Sequence, residues 1–90
     1  MVKVTETAKQ ELKKQLLAYT NDPDLSIRLE SKSPGELRLV LDRESEGDQV
    51  IEHEGTKVLL VAPELATALE GIALDVQDTT DGPKLVARKE

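Results

Sequence analysis

The spacing of apolar residues along this chain changes from a helical to a strand-like period at a single point. Before that point Ala8, Leu12, Leu16 and Tyr19 recur at intervals of three or four positions, which predicts an amphipathic helix with one apolar stripe. A breaker cluster of Asn, Asp and Pro at 21–24 ends the helix. Most of the chain beyond it alternates with a period of two, as strands with one buried face do.

The predicted helix spans 5–19, and its start has two candidate capping groups. Thr5 is a suitable N-cap, because a hydroxyl at this position can accept a hydrogen bond from the first turn. Glu6 then lies near the positive end of the helix dipole. Thr7 with Gln10 forms a second candidate capping pair.

Six strands and one short helix are predicted after the breaker cluster. The strands span 25–30, 37–42, a segment starting at 50, 57–61, 72–77 and 84–87. The first two form a hairpin around the turn signal Pro34 and Gly35. The short helix spans 63–70, with Pro63 in its first turn and Gly71 just past its end. The fold class is therefore α+β, a small mixed and mainly antiparallel β-sheet or sandwich in a single domain over 1–90.

The alternation also predicts which side chains are buried. In the first strand the apolar residues should face the core and the polar ones the solvent; the polar ones are Ser26, Arg28 and Glu30. Residues 58–61 are apolar at consecutive positions, which predicts that both faces are covered there. Val40, Leu59 and Val61 form a candidate contact face or homodimer seam, with packing inside the fold as the alternative.

Composition excludes several classes of function. The 90 residues carry a net charge of −6, and Tyr19 is the only aromatic residue, so nucleic acid and anionic membranes are unfavourable partners. The absence of cysteine excludes disulfides, thiolate nucleophiles and thiolate-bound metals. The first residues contain no long apolar run, so neither a signal peptide nor a membrane span is expected and a cytoplasmic location is the default.

Four stretches of the chain together resemble the A-type iron–sulfur cluster carrier family, the HesB-like group that includes IscA and SufA. They are VTETAKQELKKQL, LSIRLESKSPGELRLVLD, GDQVIEHEGTKVLLVAPELATALEGIALDV and DGPKLVARKE. The third is the most specific, with an acidic loop, a strand, a charged turn with Gly, a Val-rich strand, a short helix and a further strand. The resemblance covers essentially the whole chain and implies the fold of that family.

The same resemblance implies that the family's metal ligands are missing. Members hold iron or a cluster through one Cys in the first hairpin and a Cys-Gly-Cys pair near the C-terminus. The hairpin position corresponds to about Pro34, between Ser33 and Gly35, and the sequence stops at Glu90 before the expected pair. No catalytic, cofactor-binding or metal-binding residue is carried over, and no cofactor is expected.

Two clusters are candidate metal sites. Glu52, His53 and Glu54 bring imidazole and carboxylates together, but neighbours in a strand point to opposite faces, so a solvated strand end is the favoured interpretation. A second cluster lies near the end of the chain, at Asp75, Asp78 and Asp81. Its spacing does not match a calcium loop, and roles as turn residues explain Asp78 and Asp81 better.

Two charged patches remain as candidate binding surfaces. The acidic loop contains Asp42, Glu44, Glu46 and Asp48, and the basic helix patch contains Lys3, Lys9, Lys13 and Lys14. A basic partner for the first is one interpretation, and ordinary solvated surface is the commoner one for both.

The sequence therefore predicts a protein that is not an enzyme. No Gly-x-Ser-x-Gly elbow and no Gly-rich phosphate loop occurs. We expect an accessory or protein-binding module related to iron–sulfur cluster assembly, with a protein partner or a second copy as its ligand. The alternative is a metal-binding protein with His and carboxylate ligands.

Overall fold

Two helices and seven strands form within residues 2–33 and 36–89, the part of the chain that the computed structural model describes. In chain order they are β1 (Lys3–Val4), α1 (Glu6–Tyr19), β2 (Ser26–Ser33), β3 (Glu36–Asp42), β4 (Gln49–His53), β5 (Thr56–Val61), α2 (Pro63–Ala68), β6 (Ile72–Thr79) and β7 (Gly82–Lys89). The predicted α+β class is confirmed. All six predicted strands form, and β1 is an additional strand that the pattern did not indicate. The predicted turn at Pro34 and Gly35 lies outside the described residues.

The strands form two sheets. One has four strands in the order β3-β2-β5-β4, and the other has three in the order β1-β6-β7. The pairs β2–β5 and β1–β6 are parallel, and the other three pairs are antiparallel. The prediction of a mixed, mainly antiparallel sheet structure is thus correct.

Helix α1 packs its apolar stripe against both sheets, and the core between them is aliphatic. Ala8, Leu12 and Leu16 are buried as predicted. Tyr19, the fourth residue of the predicted stripe, is 77% exposed, because it is the last residue of the helix. The core therefore forms without a single aromatic ring, and many Leu and Val side chains supply the apolar area that drives folding.

Strand β5 is the most deeply buried part of the chain. Its residues Val58, Leu59, Leu60 and Val61 are all fully inaccessible, as the consecutive apolar pattern predicted. The proposed contact face is consequently wrong for Leu59 and Val61, which pack in the core cluster instead. Val40, the third residue of that face, lies half-buried on β3.

A side-chain amide joins the two sheets near the start of the chain. The Val2 backbone N–H donates to Gln49 Oε1 at 3.0 Å, and Gln49 Nε2 donates to the Val2 carbonyl at 2.7 Å. Gln49 belongs to β4 of the larger sheet, whereas Val2 immediately precedes β1 of the smaller one. The Gln49 amide therefore satisfies both backbone groups of Val2, as a residue of a neighbouring strand would.

The start of α1 confirms Thr5 as the N-cap. Its Oγ1 accepts the backbone N–H of Ala8 at 3.2 Å and donates to Asp75 Oδ1 on β6 at 2.8 Å. The alternative capping residues, Thr7 and Gln10, are exposed. One hydroxyl thus caps the helix and ties it to the smaller sheet.

Helix α2 begins at Pro63 as predicted and ends at Ala68, two residues before the predicted end. The chain leaves it through a turn in which the Ile72 N–H donates to the Leu69 carbonyl at 3.0 Å and Gly71 has a φ of 78°. Neither helix in the described part of the chain has the length and hydrophobicity that a membrane span requires.

We expect Thr5→Ala to lower the free energy of unfolding by about 1–2 kcal/mol, because it removes both the cap and the hydrogen bond to Asp75. Thr7→Ala is the matched control, since Thr7 is an exposed threonine in the same helical turn, and it should change stability by less than about 0.5 kcal/mol. Urea denaturation followed by far-ultraviolet circular dichroism measures both. Equal losses for the two variants would contradict the assignment of the cap.

Candidate functional site

Arg28 is a buried charge on β2. Strand alternation predicts it on the solvent face, yet it is only 9% exposed. Its Cα pairs with Leu60 of β5 on one side and with Val40 of β3 on the other. The prediction of solvent exposure was wrong, because residues 43–48 fold back over this face and supply polar partners to the guanidinium.

Two carboxylates and one carbonyl surround the Arg28 guanidinium. Its Nε donates to Asp42 Oδ2 at 2.6 Å, and its two terminal nitrogens donate to the two oxygens of Asp48 at 3.0 and 2.7 Å. Nη2 also donates to the Arg43 carbonyl at 3.1 Å. The planar guanidinium fits this arrangement because it offers several N–H groups in fixed directions.

The three charged groups stabilise one another's ionised forms. The hydrogen bond from Arg28 holds the pKa of Asp48 below its usual range, and the Ser45 N–H acts in the same direction. The pKa of Asp42 is also lowered, first by the Arg43 backbone N–H and then by Arg28. The pKa of Arg28 is raised, mainly by its hydrogen bond to Asp48. The cluster is therefore an ionised structural link and offers no proton donor or acceptor poised near neutral pH.

The acidic loop is consequently much less available to a basic partner than its sequence implies. The Asp48 side chain is 2% exposed, and Glu44 forms an ion pair with Lys57 at 2.7 Å. Gly47 has a φ of 87°, and a Cβ at this residue would lie 3.3 Å from Pro63 Cγ. The loop thus needs glycine in order to close over the sheet beside α2.

His53 lies between two carboxylates that come from different elements. Its Nε2 is 3.2 Å from Glu54 Oε1, and its Nδ1 is 3.6 Å from Glu6 Oε2 at the start of α1. The prediction that Glu54 points away from His53 was wrong, because β4 ends at His53 and Glu54 occupies the following turn with a φ of 51°. Glu52 remains on the strand and is exposed.

This arrangement does not resemble a metal centre. The two carboxylates contact opposite nitrogens of the imidazole, so their oxygens do not converge on one point with a ring nitrogen. Within residues 2–33 and 36–89, no group of three or more His, Asp or Glu side chains has the geometry to hold a metal ion. His53 instead lies where the start of α1 meets the β4–β5 turn, beside the ion pair that Lys13 of α1 forms with Glu54 at 3.5 Å.

The second candidate cluster, Asp75, Asp78 and Asp81, is spread along the β6–β7 hairpin. Asp75 accepts from Thr5 Oγ1 and from the Val76 N–H, and these two hydrogen bonds lower its pKa. At the hairpin turn the Asp81 N–H donates to Thr79 Oγ1 at 3.2 Å. Asp81 lies in the hairpin turn as predicted, whereas the predicted turn role is wrong for Asp78, which lies on β6 opposite Pro83.

The basic helix patch is partly neutralised. Lys9 lies 3.7 Å from Glu6 on the same helix, and Lys13 lies 3.5 Å from Glu54 in the β4–β5 turn. In both pairs the glutamate side chain is well exposed, so each pair contributes little to the free energy of unfolding. The patch therefore does not present four uncompensated lysines to an anionic ligand.

An apolar groove runs between the end of α1 and β3. It contains one cavity of about 310 Å³ beside Tyr19 and Leu41, and another of about 360 Å³ beside Leu37 and Leu85. The two share Gln15 and Leu39, so they form a continuous depression. We call it the β3 groove. Its lining includes Gln15, Tyr19, Leu37, Leu39, Leu41 and Leu85, and the charged residues Arg38 and Lys84 lie at the end beside Leu85. Of these, Tyr19, Leu37 and Leu41 are among the exposed large apolar residues.

The sequence patterns missed both the Arg28 cluster and the β3 groove. Arg28 could have been found as a charged residue between Ile27 and Leu29 whose strand is followed by a loop rich in acidic residues. The groove depends on how the end of α1 lies across β3, and no local pattern encodes that placement.

Three solved structures have the same fold as this chain. The crystal structure of IscA with the [2Fe-2S] cluster has a TM-score of 0.65 at 22% sequence identity and covers 99% of this chain and 85% of that one. Escherichia coli SufA, a protein involved in the biosynthesis of iron–sulfur clusters, has a TM-score of 0.68 at 22% sequence identity. The match covers 98% of this chain and 84% of SufA.

The third structure is a protein from Aquifex aeolicus solved by NMR in solution. Its TM-score is 0.68 at 26% identity, and the match covers 99% of this chain and 91% of that one. No protein-family model matches the chain, and no curated protein matches it. The IscA-like fold implied by the sequence resemblance is confirmed.

We expect Asp48→Asn to destabilise the protein by about 2–4 kcal/mol, because it leaves the buried Arg28 with one carboxylate fewer. Glu30→Gln is the matched control: it removes an ion pair to Arg38 on the same sheet, where the side chains are 35% and 56% exposed, and it should cost at most about 1 kcal/mol. Chemical denaturation at pH 7 measures both values. A loss for Asp48→Asn no larger than that of the control would contradict a stabilising role for the cluster.

The contribution of Asp48 should also depend on pH. Its pKa is lower in the folded protein than the value of about 3.9 expected in the unfolded chain. The stabilisation is therefore complete above the unfolded value and decreases as the pH falls through the folded one. The difference in unfolding free energy between the wild type and Asp48→Asn should be smaller at pH 3 than at pH 7, and an unchanged difference would refute this assignment.

Proposed function

We propose that this chain is a protein-binding accessory module related to iron–sulfur cluster assembly that does not itself hold a cluster. One observation carries the proposal: the chain has the fold of IscA and SufA, yet none of its 90 residues is a cysteine. The IscA structure contains a [2Fe-2S] cluster. A chain with that fold and without thiolates retains the surfaces of the fold while lacking the ligands that clusters require.

The donor groups of this chain do not fit an iron–sulfur cluster. Clusters are held by Cys thiolates, with His replacing two of them in one class. This chain has one His, and His53 lies between the carboxylates of Glu6 and Glu54. Pro34, which the resemblance placed at a ligand position, lies outside the described residues, and its side chain has no donor atom.

The same residues give little support for catalysis. A nucleophile needs a base within hydrogen-bonding reach, and His53 has a carboxylate beside each ring nitrogen. The Arg28 guanidinium and Asp48 are buried, and their hydrogen bond favours the ionised form of both groups. What the described surface does offer is the β3 groove, whose exposed Tyr and Leu side chains are typical of the apolar centre of a protein interface.

We expect anaerobic reconstitution with ferrous iron, sulfide and a thiol reductant to leave the purified protein without a cluster. IscA, treated in parallel, is the positive control. After desalting, the protein should contain less than about 0.1 iron per chain and show no sulfide-to-iron absorption band, because soft sulfur ligands are absent. Stoichiometric iron with a visible charge-transfer band would overturn the proposal, and retention of that iron in His53→Ala would show that His53 is not a ligand.

We also expect the tagged protein to enrich known iron–sulfur assembly proteins from cell extract through the β3 groove. Tyr19→Asp places a charge in the groove and should reduce this enrichment about tenfold. Leu17→Asp is the matched control, because Leu17 lies on the same helix, is 56% exposed and does not line the groove. Quantitative mass spectrometry provides the measurement. Enrichment that Tyr19→Asp leaves unchanged would exclude the groove, and no enrichment of assembly proteins would contradict the proposed function.

A further inference from the structure

Gln15 is a polar residue in the middle of the apolar β3 groove. It lies on α1 and lines both cavities of the groove, where most of its neighbours are Leu side chains. The side chain is half-buried, and its amide forms no hydrogen bond with any residue that the structure describes. A primary amide has N–H donors and a carbonyl acceptor. Gln15 therefore presents unused hydrogen-bonding capacity to whatever occupies the groove.

This amide restricts what the groove can hold. An occupant that covers a polar group without pairing with it loses affinity, because the group gives up its hydrogen bonds to water. A purely apolar chain, such as a lipid tail, has nothing to offer the amide, whereas an extended peptide offers both a backbone N–H and a backbone carbonyl. Gln49 shows the same pairing within the molecule, since its amide satisfies both backbone groups of Val2.

The two cavities are suited to the side chains of an extended segment. One of about 310 Å³ lies beside Tyr19 and Leu41, and the other of about 360 Å³ lies beside Leu37 and Leu85. Residues at positions i and i+2 of an extended chain point to the same side. Two apolar residues separated by one position can therefore enter the two cavities while the backbone between them meets the Gln15 amide.

The charges of the groove lie at one end. Arg38 and Lys84 line the cavity beside Leu85, whereas no charged side chain among the described residues lines the cavity beside Tyr19. Arg38 is already paired with Glu30 at 2.9 Å, but Lys84 is exposed and has no ion-pair partner in the described part of the chain. On a chain with a net charge of −6, this local positive charge favours a carboxylate at that end.

We infer that the β3 groove binds an extended segment of a partner protein in which two apolar residues, separated by one position, are followed by an acidic residue. The apolar side chains enter the two cavities, the backbone between them pairs with the Gln15 amide, and the carboxylate lies beside Lys84. This inference rests on the proposed protein-binding function and adds to it the chemistry of the segment that the groove recognises.

A synthetic peptide blocked at both ends provides the probe. Its residues are Ser, Leu, Thr, Leu, Thr and Glu in that order, so that both Leu side chains and the Glu side chain lie on one face of the extended chain. Titration into the full-length protein labelled with nitrogen-15 should shift the amide resonances of the groove and give a dissociation constant. A second peptide with Lys in place of Glu should bind about threefold more weakly.

The substitution Gln15→Leu separates peptide recognition from simple apolar contact. It makes the groove more apolar but removes the amide, so the dissociation constant for the Glu peptide should rise about threefold to tenfold. Gln10→Leu is the matched control, because Gln10 is an exposed glutamine on the same helix that does not line the groove, and it should leave the constant unchanged. Decanoate, an apolar chain with a carboxylate and no peptide backbone, should bind the wild type more weakly than the Glu peptide does.

The substitution Lys84→Glu tests the charged end of the groove. It should reverse the preference between the two peptides, because the Lys peptide now meets an opposite charge and the Glu peptide a like one. Lys89→Glu is the matched control, since Lys89 is an exposed lysine on the same strand that does not line the groove. This variant should keep the preference of the wild type for the Glu peptide.

Four results would each overturn the inference: no resonance shifts in the groove, unchanged or tighter peptide binding by Gln15→Leu, a wild-type preference for the Lys peptide, or decanoate binding as tight as that of the Glu peptide. Peptide binding with the expected dependence, in a protein that enriches no iron–sulfur assembly protein, would support the inference and contradict the proposed function. Enrichment of those proteins without selective peptide binding would do the reverse.

Discussion

A single buried cation on strand β2 determines much of what the outer face of the larger sheet must look like. Arg28 lies between Leu60 and Val40, where an unpaired charge would be very costly. The loop over 43–48 supplies the compensation, because Asp42 and Asp48 lie at its two ends. The loop closes over the guanidinium, and Gly47 allows this with a φ of 87° and no side chain that would crowd Pro63.

The local chemistry of the chain made part of this structure predictable. Thr5 is an N-cap for reasons contained within four residues, and Pro63 starts α2 for an equally local reason, so both were predicted correctly. The consecutive apolar residues of β5 identified its burial on both faces. Strand β1 was missed because two residues cannot display a period, and it forms only because β6 lies beside it in parallel register.

The candidate sites were harder to predict, because their geometry depends on parts of the chain that are distant in sequence. Alternation placed Arg28 in solvent, since the rule assumes that one sheet face is open, and here a later loop covers it. Glu54 was expected to point away from His53, yet the turn after β4 reverses its direction. Lys13 and Glu44 belong to the two charged patches that the sequence suggested as binding surfaces. Each of them forms an ion pair within the molecule instead.

The bridge between Val2 and Gln49 carries no charge, unlike the Arg28 cluster and the hydrogen bond from Thr5 to Asp75. A primary amide keeps its donor and its acceptor at every physiological pH and responds only weakly to salt. When acid neutralises the carboxylates, the loop over Arg28 should therefore loosen while the two sheets stay joined. Partial opening in acid is therefore expected to begin at the outer face of the larger sheet, where the Arg28 cluster depends on ionised carboxylates.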